Sequence, residues 1–233
     1  MKGKFFGVVV VLALVMGLML SISGCKSTSP TTAATATTVP TATNTATPIV
    51  SNAFAAGVQS WSIPAPASYN QENALTNLVW DSVNGNTNTA SSAGCLSMTG
   101  TFDASGNTLH AKGNIELSFS AATDVTGKTY TAWIKVPAGM ANGAYHAMIY
   151  LKTGAPGYHY CSASDIVIGS TNWIKLQATT AAMAVNTGTT FAAGELAIVS
   201  VVGVNFYRDP TTATDSTKDV TAQTILVDDI SIK

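Results

Sequence analysis

In the stretch YTAWIKVP, residues 130 to 137, Trp133 and Lys135 fall on one side of an extended strand and Tyr130, Ala132, Ile134 and Val136 on the other, because strand side chains alternate. The second set is a core stripe. The first places an indole among Thr129, Thr131 and Lys135, where solvent is expected. Two other segments repeat the pattern. In AYHAMIYLK, His146, Met148, Tyr150 and Lys152 oppose an apolar face, and in VVGVNFY, Gly203, Asn205 and Tyr207 oppose Val202, Val204 and Phe206. Tyr158 and Tyr160, in PGYHYCS, follow shortly after Tyr150. Flat rings edged by amide, imidazole and ammonium groups suit a ligand with apolar C–H faces and a hydroxyl rim, which is the surface of a sugar. Trp133, Tyr150 and Tyr207 are the candidate platforms, Lys135, His146 and Asn205 the candidate edge, and Tyr158 and Tyr160 a rim. For Trp133, packing in the core is the competing reading.

Catalytic chemistry is poorly supplied. Glycoside hydrolysis needs two carboxyl groups flanking one bond, and here Glu72, Asp103, Asp124, Asp165, Glu195 and Asp215 fall in or beside turns, while Glu116 lies inside an expected strand. Neither a Gly-x-Ser-x-Gly elbow, an HExxH helix nor a Walker loop occurs. His110, His146 and His159 lack a zinc spacing. The sequence therefore reads as a binding protein, not an enzyme.

The elements that must carry these residues are strands. Expected strands are 58–63, 77–81, 94–101, 109–118, 129–136, 144–152, 158–162, 173–179, 196–207 and 224–232, separated by turn signals such as NGNTN, DASGN, DVTGK and TGAPG. Short, regularly spaced strands without a long helical period imply an all-β, two-sheet antiparallel sandwich. Trp61, Trp80 and Trp173 are assigned to its core or to strand ends.

The N-terminal part reads differently. Lys2 and Lys4 precede an uncharged apolar run from Phe5 to Leu20, the pattern of an export signal. The following Ile22-Ser23-Gly24-Cys25 resembles a bacterial lipobox, which implies cleavage after residue 24, acylation of Cys25 and anchoring in a membrane, with an exported, surface or outer-membrane location. Residues 25–50 are rich in Thr, Ala and Pro and read as a linker. Residues 51–233 form the expected folded domain. Removing Lys2 and Lys4 from the 11 basic residues leaves 9 against 12 acidic ones, a formal charge of −3, which argues against a nucleic-acid partner. In an exported domain Cys95 and Cys161 are open to either of two states, a disulfide or two free thiols.

Over residues 54–232 a series of landmarks resembles the carbohydrate-binding modules of the galactose-binding-like jelly-roll superfamily. These are FAAGVQSW at the start, DVTGKTYTAWIKVP, STNWIKLQ, VVGVNFY and the closing ILVDDISIK. The resemblance implies a jelly roll with a polysaccharide, of the plant cell-wall β-glycan type, on the outer face of one sheet. It also implies a structural calcium held partly by Asp228. The acid that such domains carry just after the opening Phe is replaced by Ala55 and Ala56, so Asp228 is left with two readings, calcium ligand or strand-end hydrogen bonds. A structural or adhesive envelope lipoprotein whose jelly roll binds another protein is the alternative function.

Overall fold

The computed structural model describes residues 47–65, 73–89, 93–102, 112–154, 159–186, 191–209 and 221–233. The leader, Cys25, most of the linker and Tyr158 lie outside the described residues. Among those described, no helix is long and apolar enough to cross a membrane.

The strands are β1 (Val50–Asn52), β2 (Leu75–Asp81), β3 (Cys95–Gly100), β4 (Lys112–Thr123), β5 (Thr129–Lys135), β6 (Tyr145–Thr153), β7 (Tyr160–Ser162), β8 (Ile166–Val167), β9 (Ile174–Thr179), β10 (Val199–Arg208) and β11 (Gln223–Ile232). They pair antiparallel in two sheets. The first has the order β2-β3-β11-β5-β9, with β1 pairing the C-terminal end of β11. The second has the order β4-β10-β6-β7, with β8 pairing β6. The all-β sandwich expected from the alternating pattern is the fold observed.

Between the sheets lies one apolar layer to which both contribute. Tyr130, Ala132 and Ile134 of β5, Ala147, Ile149 and Leu151 of β6, Val202, Val204 and Phe206 of β10, and Ile225 and Val227 of β11 are all buried. Each large aliphatic or aromatic side chain so placed contributes about 1.5–3 kcal/mol relative to exposure. Tyr130 reaches across this layer and donates its hydroxyl to Gly203 O at 3.0 Å, tying β5 to β10.

A short helix α1 (Thr180–Asn186) and a 3₁₀ turn (Ala193–Ile198) lie between β9 and β10. The helix begins where Ala-rich sequence replaces β-branched residues. Thr179 caps it, accepting the Ala182 N–H at 3.2 Å, and Thr180 Oγ1 donates to Val125 O at 2.8 Å.

Several expectations are corrected. Residues 58–63 are not a strand: Gly57, Gln59 and Ser60 have φ of 67°, 49° and 68°, which turns the chain, and only Ser62 forms a bridge, to Glu116. Residues 196–198 belong to the 3₁₀ turn instead of β10. The first strand begins at Val50, inside the segment read as linker, because Val50 pairs with Ile232 and is buried. Of the two states the sequence left open to Cys95 and Cys161, the structure has the two free thiols. Cys95 opens β3 of the first sheet and Cys161 sits in β7 of the second, and both are buried free thiols. Burial pushes each thiol up to about 12, so neither presents a reactive thiolate near neutral pH.

Candidate functional site

Of the eight sequence-nominated residues, the seven that are described do not converge; Tyr158 lies outside the described residues. His146 and Tyr150 on β6, Tyr160 on β7, and Asn205 and Tyr207 on β10 share the outer face of the second sheet. Trp133 and Lys135, on β5, lie on the outer face of the first. Alternation along each strand was readable, but it does not say which sheet a strand joins. Trp133 is half-buried on that outer face and is not core, while its neighbours Ala132 and Ile134 are fully buried.

On the second sheet, antiparallel register lines the outward residues up in rows. Tyr207 pairs with Lys112 on one side and His146 on the other, Asn205 with Asn114 and Met148, and Gly203 with Glu116 and Tyr150. Lys152 pairs with Tyr160. Rows two residues apart are spaced by about 7 Å, so the face from the Tyr207 row to the Tyr160 row runs for about 20 Å along the strands.

At one end the His146 and Tyr207 rings stack, centroids 4.8 Å apart and planes 20° from parallel. Asp165, one residue before β8, fixes both. Its Oδ2 lies 2.5 Å from His146 Nδ1 and accepts the Tyr207 hydroxyl at 2.8 Å. The bonds from Tyr207 and His146 hold the Asp165 carboxyl below the usual carboxylate range. Burial and the same carboxylate push the Tyr207 phenol up. The Tyr207 ring keeps one face partly open, and with Lys112, Met148, Ser162 and Asp165 it borders a cleft of about 380 Å³.

At the centre, Tyr150 is 1% exposed, so it is not the open platform that its alternation suggested. Its ring covers Gly203, where a Cβ would have to occupy the ring's own position. The glycine is therefore what lets Tyr150 lie flat on β10. Burial, then the adjacent Glu116, push the Tyr150 phenol well up, and its hydroxyl donates to Glu116 Oε1 at 2.6 Å. Lys152 Nζ also binds that oxygen. Tyr160 packs on Tyr150 at 5.4 Å and stays half-buried, with its own phenol pushed up to about 12 by burial. Asn205, 4% exposed, donates to Asn114 Oδ1 at 2.5 Å and Gly113 O at 3.3 Å. Among the described residues nothing hydrogen-bonds Asn205 Oδ1 or His146 Nε2, two buried polar atoms just under this face.

The sequence placed Glu116 within a strand, and it lies on this face. Asp165 it read only as a turn acid. Nothing local marks Asp165, because the return of β8 along β6 is what carries it to His146.

Asp228 is fully buried in β11. Its Oδ2 accepts the Asn86 N–H and its Oδ1 the Asp229 N–H, each at 2.7 Å. Calcium requires several oxygen ligands. N–H donors face both oxygens of Asp228, and the described residues contain no cluster of three His, Cys, Asp or Glu side chains able to hold a metal. The Asp228 carboxylate fixes the segment after β2 to the last strand.

No protein-family model and no curated protein matches the chain. Among solved structures it is similar to a carbohydrate-binding module described for the promiscuous specificity of the β-sandwich superfamily, at 15% identity over 76% of this chain and 58% of that one, TM-score 0.47. It thus spans 58% of that chain's length. It is also similar to the CBM22-1 xylan-binding domain from Paenibacillus barcinonensis, at 14% identity over 80% of this chain and 94% of that one, TM-score 0.44. A third is a family 11 carbohydrate-binding module of a Clostridium thermocellum cellulosomal cellulase, at 9% identity, 78% and 91% coverage and TM-score 0.48.

Proposed function

We propose that the chain is a non-catalytic polysaccharide-binding protein that seats a neutral, plant cell-wall type β-glycan on the outer face of its second sheet. The carrying observation is the row arrangement there. A His146–Tyr207 stack lies at one end, Tyr160 at the other, and amide, ammonium and carboxylate groups stand between them. Rings distributed along about 20 Å of strand suit several consecutive sugar units of a chain. Glu116 and Asp165 are each engaged by two neighbouring side chains, which suits holding a glycan in place and not flanking a bond as acid and nucleophile. Acylated Cys25 and the Thr/Pro-rich linker would hold this face outside the cell, at a membrane surface.

Native affinity electrophoresis of the full chain, kept in a nonionic detergent because of its apolar Phe5–Leu20 run, tests the reading in gels containing xylan, mannan, mixed-linkage glucan or cellulose-type glucan. Retardation in at least one gel is expected, and it should be lost in a still-folded Tyr207→Ala and Tyr160→Ala double variant. Equal mobility in every gel would overturn the proposal and favour a protein partner.

A further inference from the structure

The first sheet carries a hollow of about 470 Å³ on its outer face, lined by Trp133, Thr129, Thr131, Ser231, Lys175 and Asp229 among others. The indole is its one aromatic wall. Lys175 is the direct cross-strand neighbour of Trp133 on β9, Lys135 follows Trp133 by two residues on the same face, and Lys233 joins Thr129 through backbone hydrogen bonds at the rim. Among the described residues no carboxylate pairs with Lys135, Lys175 or Lys233. Asp229 is the one acid lining the hollow, and its Oδ2 already accepts bonds from the Asn86 amide and the Thr89 hydroxyl. The β11 register breaks between Asp228 and Ser231, and Asp229 sits there at φ 44°, a local bulge of the kind that re-aims a side chain beside a site.

We infer that this hollow is a second ligand site, distinct from the face of the second sheet, in which Trp133 stacks on a sugar ring whose carboxylate pairs with Lys175: a uronic acid residue of an acidic glycan. A neutral sugar would use the indole and the hydroxyls of Thr129, Thr131 and Ser231 but leave the Lys175 ammonium beside the indole without an anion. An anion answers it, and the hydroxyl-rich wall supplies the edge contacts.

Calorimetry of the full chain with a short galacturonic acid oligosaccharide and with its fully methyl-esterified form, which keeps the ring and removes the charge, tests the inference. The acid form should bind and the ester should bind much more weakly. Lys175→Gln should weaken the acid form by about fivefold, the scale of one exposed charge contact. Added salt should reduce binding in the wild type. Trp133→Ala should abolish binding, and because an indole deletion can perturb folding, the exposed Lys175→Gln decides the matter if that variant fails to fold. Tyr207→Ala should leave this affinity unchanged, which separates the inference from the neutral-glycan reading. Acid form not bound, ester bound equally well, or Lys175→Gln without effect would each overturn it.

Discussion

On the outer face of the second sheet, Glu116 is held by Lys152 and Tyr150, and Asp165 by His146 and Tyr207. On the outer face of the first, Trp133 stands beside Lys135 on its own strand and Lys175 across from it, and among the described residues neither lysine has a carboxylate partner. Both faces mix aromatic and polar groups, and both would be nominated by the same sequence criterion. Where charges cancel within the face, the rings and hydroxyl-bonding edges are what remains to offer a ligand. Where they do not cancel, the face offers a field as well, and that changes the class of ligand it fits. The same contrast separates the energetics: the second face is bonded to itself and should be sensitive to truncation, the first should not.

Removing Glu116 should break the contrast most severely. In Glu116→Ala the buried Tyr150 hydroxyl and the Lys152 ammonium both lose their acceptor, and urea unfolding should show a loss of about 2–4 kcal/mol. Lys175→Ala on the opposite face should stay within about 0.5 kcal/mol of the parent. Next comes Gly203→Ala, which forces Tyr150 off β10. A cost of about 1–3 kcal/mol is expected from overpacking, accompanied by weaker retention of neutral glycan. Tyr207→Ala, which removes an open stacking surface, should weaken neutral-glycan binding by about tenfold while leaving the fold intact.

The smallest effect is on pH dependence. The folded Asp165 carboxyl titrates below the ordinary aspartate value of about 3.9, so its contribution is fully present above that value and is lost as pH falls through the lower, folded one. Its side chain is 42% exposed, so the change should be modest. An acid titration followed by the Tyr207 and His146 ring resonances should show the stack loosening below the ordinary aspartate range. Rings that stay fixed to the acid limit would mean that Asp165 does not hold them.

Much of the fold was legible because it rests on local alternation. The pattern of β5 puts Tyr130, Ala132 and Ile134 inside and Thr131, Trp133 and Lys135 outside, and the structure has the same division. What alternation cannot reveal is non-local. Trp133 and Tyr150 sit seventeen residues apart in adjacent strands of the sequence, yet β5 joins β11 and β6 joins β10, so the two rings face away from each other on separate sheets. Tyr150 was half legible: its side was read, but its burial depends on a glycine in another strand and on Tyr160 above it. The helix after β9 was missed because seven residues are too few to show a period. The Cys95–Cys161 question was open in the sequence for the same non-local reason: the two lie on different sheets, as free thiols.

The most direct test of the account is solution NMR of the full chain titrated with the neutral oligosaccharide whose polymer retards it. The account predicts that the Asn205 side-chain amide and the Tyr207 and Tyr160 ring resonances move with ligand while the Trp133 indole N–H stays in place. Movement of the Trp133 indole with Asn205, Tyr207 and Tyr160 unchanged would contradict it and transfer the neutral glycan to the first sheet.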